Sequence, residues 1–245
     1  MKKIIMLIIG VIYLFGYKAK VEPFEVYNIK AVVNGRVVIA NKDLEATNIK
    51  NKLIVKIDDT NNKIDLENLQ NQLELLKKQI NNQQIVVKRK KDIYERYKKL
   101  KTRSQTEKDL KFFDYISSLN QLISLKSQYN NTLANINKIK DTINKKRIKA
   151  NGYVFKIHVK KDDYVNPGSL TANIYNISKQ KLTIYVPIEE IENIKDKKVY
   201  INGKKSNFKI YKVWDVPDDK FVTSYKVELI GNGLKFGEIV NIELK

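Results

Sequence analysis

The chain has 245 residues, no cysteine, a single histidine and a formal net charge of +20. The lack of cysteine excludes disulfides and thiolate metal sites, and one histidine excludes a multi-histidine metal centre. Five of the 47 basic residues are arginines and the other 42 are lysines, scattered along the chain. Proteins that read nucleic acid favour arginine, so we expect no nucleic-acid partner and interpret the lysines as a solvated surface.

The N-terminus has the pattern of a targeting segment. Two lysines precede an apolar run from Ile4 to Phe15, and polar residues return at Lys18. A positive start followed by a run too short for a comfortable membrane-spanning helix is typical of an export signal. We therefore assign residues 1–18 to a signal peptide or a short membrane anchor, and the sequence leaves these two alternatives open.

Residues 24–58 form the first predicted β segment. Its apolar residues are β-branched and grouped in short runs, such as Val37-Val38-Ile39 and Ile54-Val55. Asn, Asp and Gly residues bound these runs, as is typical of strands joined by tight turns.

The next segment, residues 61–147, contains neither proline nor glycine, which favours long helices. Two series of mostly apolar residues run through it at steps of three and four. A narrow stripe with this period indicates a coiled-coil seam. The first series is Leu66, Leu69, Leu73, Leu76, Ile80, Gln83, Val87, Lys90, Tyr94 and Tyr97. The second series is Tyr115, Leu119, Leu122, Lys126, Tyr129, Leu133, Ile136, Lys140 and Ile143.

Between the two series the stripe lapses, from Lys101 to Glu107. Ser104 followed three residues later by Glu107 is a capping box, which predicts that a second helix begins there. Two helices of about 40 residues joined by a short turn make an antiparallel hairpin about 60 Å long, at 1.5 Å per residue. This arrangement explains the sequence better than one continuous rod does.

From residue 148 onwards the sequence again has the pattern of β-strands, and the start of this second β segment repeats the first one. A shift of 117 residues superimposes the two without a gap. We infer that the hairpin interrupts one small domain, because neither half can bury its apolar face alone. The matched residues are Asn34-Gly35 with Asn151-Gly152, Val37 with Val154, Leu53 with Leu170, and Ile57 with Ile174.

The second β segment also carries a family motif. It opens with Ile148-Lys149-Ala150-Asn151-Gly152-Tyr153-Val154 and continues through Val159, Asp163, Val165, Gly168 and Leu170. This motif resembles the second lipoyl-like half of HlyD-type periplasmic adaptors, also called membrane fusion proteins. Further on, Leu182 to Ile191 looks like that family's entry into its β-barrel, and Leu234 to Val240 is similar to the barrel's closing motif.

The chain departs from the family pattern at three places. Asp162 stands where the family usually has glycine, and because aspartate tolerates a left-handed backbone better than most residues, we expect the turn to persist. In the first half the Gly-Asp-x-Val turn motif is missing between Leu44 and Lys52. Phe236 replaces a proline of the closing motif.

The resemblance implies an α+β fold: a split lipoyl-like β domain with an inserted antiparallel α-helical coiled-coil hairpin, plus a small C-terminal β-barrel domain. Residues 24–58 and 148–176 would be the two lipoyl-like halves. Residues 61–147 would form the hairpin, and residues 177–245 the barrel.

The resemblance also implies a function. Such adaptors associate with the inner membrane, assemble into a homo-oligomeric ring in the periplasm, and link an inner-membrane transporter to a TolC-type outer-membrane channel for efflux or secretion. The sequence leaves open whether the transporter is an ABC or a proton-driven one. It offers no catalytic constellation, cofactor motif or metal site, so we expect no enzyme and no cofactor. The alternative is a structural coiled-coil protein of the cell envelope, which would need no internal repeat.

The family places its channel contact at the hairpin tip, on an arginine, a leucine four residues on, and a serine beyond the turn. Arg96 and Leu100 keep that spacing and are predicted to contact the partner with Ser104, although Ser104 comes about one turn early and Thr106 is the next candidate. A solvated arginine, a further seam leucine and a helix cap remain the plainer interpretations. Three further residues are assigned to structural turns, namely Gly35, Gly152 and Gly168.

Overall fold

The computed structural model describes residues 16–217 and 221–245 of the chain. This part of the chain has two long helices and twelve strands, so the predicted α+β class is confirmed. Residues 1–15 of the predicted targeting segment lie outside the described residues. Tyr17 and Lys18, which the sequence pattern assigned to the end of that segment, lie in the first strand.

The elements follow in the order expected from the sequence, with strands before and after two long helices. The strands before the helices are β1 (Tyr17–Lys20), β2 (Glu22–Lys30), β3 (Gly35–Ala40) and β4 (Asn48–Ile57). The helices are α1 (Thr60–Lys99) and α2 (Gln105–Lys145). The remaining strands are β5 (Arg147–Ile157), β6 (Tyr164–Val165), β7 (Leu170–Pro187), β8 (Val199–Ile201), β9 (Lys204–Lys205), β10 (Lys209–Val213), β11 (Ser224–Gly231) and β12 (Ile239–Leu244).

The strands bury two separate apolar cores. The first β unit comprises β2 to β6 and the start of β7, and its core includes Val37, Ile57, Val154 and Ile174. The second β unit comprises β1, the end of β7 and β8 to β12, and the most buried members of its core are Val21, Leu182, Ile184, Val186, Val227, Leu229, Val240 and Ile242. Strand β7 belongs to both units, pairing with β5 along its first half and with β11 along its second.

The two helices pack side by side in opposite directions. Near the start of α1, Asn62 accepts a hydrogen bond from the Lys146 side chain just beyond α2. Halfway along, the Gln83 amide donates to the carbonyl of Ser118, and near the end of α1 the ring of Tyr94 lies 5.3 Å from that of Phe112. Partner numbers on α2 fall as those on α1 rise, so the pair is antiparallel and residues 100–104 form the far end.

The predicted seam is correct for α1 and partly wrong for α2. All ten seam positions of α1 are buried or half-buried. On α2, however, Lys126, Leu133 and Lys140 are exposed, and the residues immediately before them, Leu125, Thr132 and Ile139, lie on the seam instead. Choosing Leu119 and Leu133 over the small polar residues before them caused the error, because that choice shifts the series by one residue and brings in Lys126 and Lys140. The seam passes instead through the buried Ser118 and Thr132. Each of these hydroxyls is satisfied by donating to a carbonyl of the preceding helical turn.

A group of charged residues, Lys56, Asp58, Asp59, Lys63 and Lys146, lies where the hairpin joins the first β unit, and we call it the charged base. The Lys146 ammonium donates to the carbonyl of Asp58 at 2.7 Å, which ties the end of α2 to the start of α1. The adjacent carboxylate of Asp59 is buried and forms ion pairs with Lys56 at 3.3 Å and Lys63 at 3.2 Å. The hairpin is therefore fixed to the β unit by polar contacts as well as by the chain itself.

Candidate partner-binding site at the hairpin tip

The tip is a five-residue turn between two well-defined helix ends. Helix α1 ends at Lys99, and the C-cap residue Leu100 donates its N–H to the carbonyl of Tyr97 at 3.1 Å. The chain then runs through Lys101 to Arg103 and enters α2 after Ser104.

Ser104 forms the capping box that the sequence predicts. Its hydroxyl oxygen accepts a hydrogen bond from the N–H of Glu107, and its own N–H donates to the Glu107 carboxylate at 3.0 Å. That backbone hydrogen bond, with further help from the Ser104 hydroxyl and the Arg103 guanidinium, holds the pKa of Glu107 below its ordinary value. The cap thus engages the hydroxyl of Ser104, which leaves it only part of its hydrogen-bonding capacity for a partner.

Arg96 and Leu100 lie where a partner can reach them. Arg96 is exposed in the last turn of α1, and no ion pair of its guanidinium occurs among the described residues. Leu100 is also exposed, at the end of the helix. The structure brings Arg96, Leu100 and Ser104 to the same end of the hairpin.

An aromatic cluster behind the turn was not anticipated from the sequence. The Tyr94 ring packs against Phe112 and stacks on Tyr115 at 6.4 Å, while the Tyr97 ring receives the cationic groups of Arg103 and Lys111, each at 5.7 Å. The signal was present in the sequence, since aromatic residues are concentrated on both sides of the turn. Cation–π contacts of this kind stabilise a bent chain and keep the basic side chains in place.

The surface around the tip combines apolar and basic residues. Beyond Leu100, the side chains of Leu110 and Phe113 are largely exposed on α2. The basic residues of this surface are Arg96, Lys98, Lys99, Lys101, Arg103, Lys108 and Lys111. Exposed aromatic and leucine side chains among cations are suited to a macromolecular partner rather than to a small substrate.

The three glycines assigned to turns lie far from the tip, in the first β unit. Gly168 lies in a turn, whereas Gly35 is the first residue of β3 and Gly152 lies within β5, where close strand packing rather than a turn requires glycine. The strands around them repeat one pairing pattern. Val37 pairs with Ile57, and 117 residues later Val154 pairs with Ile174. In both pairs of strands a bulge follows at the same point of the register. A side chain at Gly35 would meet Ile57, and one at Gly152 would meet Ile174, so the two halves share the same close approach.

The turn that the first half lacks in sequence is present in structure. In the second half Asp162 has φ 74° and donates its N–H to the carbonyl of Val37, as expected for a tolerated left-handed aspartate. In the first half Ala46 has φ 59° and donates to the carbonyl of Val154. Gly168, with φ 90°, likewise has a left-handed counterpart 117 residues earlier, at Asn51 with φ 49°.

The described residues show no other chemical site. Across 16–217 and 221–245, no group of three or more His, Asp or Glu side chains is arranged to hold a metal ion. Within the same residues, no helix is both long and apolar enough to cross a membrane.

Comparisons with known proteins identify the fold. The sequence matches no family model and no curated protein. Solved structures do match: MacA from Actinobacillus actinomycetemcomitans is 17% identical over 94% of this chain and 78% of its own, with a TM-score of 0.78. A membrane fusion protein from Streptococcus pneumoniae R6 is 12% identical over 93% of this chain and 98% of its own, with a TM-score of 0.64.

A chimera of MacA that contains the Pseudomonas aeruginosa MexA α-hairpin domain is 16% identical, covers 94% of this chain and 80% of its own, and has a TM-score of 0.66. At these identities the likeness establishes the fold alone. The chain has the fold of membrane fusion proteins, which confirms the resemblance to the HlyD-like family at that level.

Proposed function

We propose that this protein is a periplasmic adaptor that links an inner-membrane transporter, of the ABC or proton-driven class, to a TolC-type outer-membrane channel for efflux or secretion. The observation that supports this most strongly is the shared fold over 94% of the chain with MacA. An adaptor works by holding other proteins together, so the proposal needs neither a catalytic group nor a cofactor.

The parts of the molecule receive corresponding roles. The first β unit is the split lipoyl-like domain, which the repeated pairing of Val37 with Ile57 and of Val154 with Ile174 supports. The second β unit is the β-barrel domain. The helical hairpin inserted between the two lipoyl-like halves reaches away from them, and its length of about 60 Å at 1.5 Å per residue suits it to span the gap to a partner.

The tip contacts the channel in this proposal. Leu100 supplies an exposed apolar anchor and Arg96 a guanidinium with no competing ion pair among the described residues. Arginine forks bind carboxylates and carbonyl-rich edges strongly, and an apolar neighbour excludes water from such a contact. Ser104 contributes chiefly by capping α2, which fixes the direction in which the turn presents the other two.

A homo-oligomeric ring is part of the proposal, and the hairpin offers faces for it. An apolar stripe, Phe112, Ile116, Leu119 and Ile123, follows one flank of α2 at heptad-like spacing, on the same flank as Lys98 of α1. On the opposite flank, Asp65 of α1 and Asn135 of α2 line one surface groove. Val86 lies three heptads after Asp65, so it is on the same flank of α1 as Asp65. Two different faces on one rod fit a head-to-tail contact that closes into a ring.

The alternative function, a structural coiled-coil protein of the envelope, explains the hairpin but not the rest. A structural rod needs no split domain whose halves repeat one strand register, and no second β unit with a core of its own. Those two features favour the adaptor.

An export assay tests the proposal in a strain that carries only the variant copy. Arg96→Ala combined with Leu100→Ala is expected to abolish export while leaving helicity and protein level unchanged, because both side chains are exposed. A matched control is Arg89→Ala combined with Leu75→Ala, which removes the same residue types from exposed positions of α1 that lie farther from the tip. Normal export by the tip variant would contradict the proposed contact.

Ser104→Asn separates capping from binding. Asparagine caps helices about as well as serine, so this variant is expected to retain the stability of the hairpin and its export. Ser104→Ala is expected to cost about 1 kcal/mol of hairpin stability through the lost cap. Loss of export by the asparagine variant at full stability would show that the serine hydroxyl itself contacts the partner.

A further inference from the structure

One end of the second β unit carries a patch of exposed apolar side chains. We call it the end patch, and it consists of Ile188, Trp214, Val216, Phe221 and Val222. Val216 is 73% exposed and Val222 is 72% exposed. Such a concentration of apolar surface marks a contact with something other than water.

Backbone and ring contacts hold the end patch together. The N–H of Ile188, just after β7, donates to the carbonyl of Thr223 at 3.1 Å, and the Phe221 ring packs on Tyr185 at 4.2 Å. Trp214 follows β10, and its N–H donates to the carbonyl of Lys226 in β11. These contacts place Ile188, Trp214 and Phe221 together at the end of this unit, and Val216 and Val222 are their neighbours in sequence.

The N-terminus enters the second β unit at this same end. The hydroxyl of Tyr17, the first residue of β1, donates to the carboxylate of Glu190 at 2.5 Å, and Glu190 lies two residues beyond Ile188. One residue, Gly16, separates Tyr17 from Phe15, where the apolar N-terminal run ends. An extended residue spans about 3.5 Å, so the point at which that run joins the described chain lies at this end of the unit.

The structure also bears on whether the N-terminal segment is cleaved. Strand β1 pairs with β12 from Tyr17 to Lys20, and Ala19 is buried in the core of the second unit. Cleavage after Tyr17, Lys18 or Ala19 would remove backbone hydrogen bonds and core packing, so the segment cannot end inside β1 without loss of stability. Retention of the segment and cleavage before Tyr17 both leave strand β1 whole.

We infer that the N-terminal segment stays attached as an anchor and that the end patch rests in the interfacial layer of the lipid bilayer. The inference depends on the proposed function only in placing the segment in the inner membrane. Tryptophan is enriched at the level of the lipid headgroups, and valine and phenylalanine beside it bury their surface in the acyl boundary.

The charges around the end patch predict which lipids it prefers. Two acidic residues, Glu189 and Asp215, are exposed at this end. Two exposed lysines, Lys198 and Lys245, lie there as well and are joined to each other by backbone hydrogen bonds. Charges of both signs give no strong attraction to anionic headgroups. The contact is therefore apolar, and it forms on zwitterionic lipid as well as on anionic lipid.

Trp214 is the only tryptophan of the chain, so its fluorescence reports on the end patch without a label. The full chain is reconstituted into vesicles of phosphatidylcholine, with and without phosphatidylglycerol, that contain lipids brominated on the acyl chain. We expect brominated lipid to quench most of the Trp214 emission in both compositions, and we expect iodide in the buffer to quench little of it.

Substitutions at matched exposure provide the control. Val216→Ser combined with Val222→Ser is expected to lower the quenching by brominated lipid and to raise the quenching by iodide. Phe236→Ser combined with Ile239→Ser removes apolar surface from the other end of β1 and β12, where Ile239 is 70% exposed, and is expected to change neither. Equal effects of the two pairs would overturn the inference.

The remaining outcomes separate this inference from the proposed function. A chain that does not associate with vesicles at all contradicts the membrane association of the adaptor. A chain that associates while Trp214 stays open to iodide and unquenched by lipid contradicts only the end-patch inference. Protection of Trp214 only in vesicles made from native membranes would identify a membrane protein as the occupant, and quenching that requires phosphatidylglycerol would make the contact electrostatic; either result overturns the inference.

Discussion

Single residues carry the close approaches that make the split domain possible. Gly152 combines two requirements, a φ of 117° and a Cβ position that would lie 2.9 Å from the carbonyl oxygen of Tyr175. Gly168 has only the first requirement, since its φ is 90° and no atom lies within 4 Å of the place that a Cβ would occupy. Because backbone oxygen cannot yield as a flexible side chain can, the two glycines differ in how much a substitution costs.

We predict that Gly168→Ala lowers the free energy of unfolding by about 1–3 kcal/mol, the scale of strain at a left-handed position. Gly152→Ala is predicted to lower it further, because it adds a backbone clash to the strain. Urea unfolding of both variants measures the difference. Equal losses would show that the approach to Tyr175 is unimportant.

Ala46 offers the opposite test, because it is a non-glycine residue at φ 59°. A left-handed residue with a Cβ costs about 1–2 kcal/mol, and the extra freedom of glycine in the unfolded chain offsets part of that cost. Ala46→Gly is therefore predicted to raise the free energy of unfolding by up to about 1 kcal/mol. Ala134→Gly, on the exposed face of α2, is the control and is predicted to lower it by about 1 kcal/mol. A loss of stability in both variants would contradict the role of Ala46.

These residues show what the sequence reveals about the split domain and what it conceals. The repeat was predictable because Gly35 and Gly152 each allow a neighbouring isoleucine to approach the backbone closely, so both halves carry glycine at the equivalent position. The turn at Ala46 was not predictable, because alanine does not signal a left-handed conformation. It is held there by a hydrogen bond to Val154, which lies more than a hundred residues away in sequence.

Among the elements, the hairpin depends on its charged base. Burial acts to raise the pKa of Asp59, but hydrogen bonds and ion pairs from Lys63 and Lys56 outweigh it, so the pKa lies below its ordinary value. The pKa of Asp58 is shifted in the same direction, first by the hydroxyl and N–H of Thr60. Both carboxylates thus stabilise the folded state in their charged form.

The pH dependence follows from the sign of these shifts. The folded pKa lies below the unfolded value of about 3.9, so the stabilisation is complete above that value and is lost as the pH falls through the folded pKa. Asp59→Asn is predicted to lower the free energy of unfolding at pH 7 by about 1–3 kcal/mol and to flatten its decline in acid. Urea unfolding at pH 7 and at pH 3 measures both effects. The control Asp65→Asn, at an exposed position of α1, is predicted to change neither, and an unchanged acid decline in Asp59→Asn would contradict the role of the charged base.

On α2, the period of three and four residues did not by itself identify the residues that pack against α1. Leu119 and Leu133 follow the buried Ser118 and Thr132 by one residue, and both choices satisfy steps of three and four. Hydrophobicity alone selects the leucines. Contact with α1 decides otherwise, because the Gln83 side chain reaches the carbonyl of Ser118 and fixes the rotation of α2.

At the scale of the whole molecule, the proposed ring requires contacts between different copies of the chain. Leu119 lies one heptad beyond Phe112 on one flank of the hairpin, and Val86 lies on the other flank at a similar distance from the tip. The chain has no cysteine, so introduced pairs are free of background. We predict that Val86→Cys combined with Leu119→Cys gives a ladder of disulfide-linked oligomers on oxidation. Each single variant is predicted to remain uncrosslinked, and dimers from either one would indicate a symmetric pair instead of a ring.

The proposed function depends above all on contact between the hairpin tip and an outer-membrane channel, which photo-cross-linking in intact cells can detect. A photoreactive amino acid is placed at Leu100, with the exposed Leu75 on the shaft of the hairpin as the control position, and the captured proteins are identified by mass spectrometry. We predict that an outer-membrane channel is captured from position 100 and is absent from position 75. Capture of the same proteins from both positions, or of no outer-membrane protein from position 100, would contradict the proposed contact.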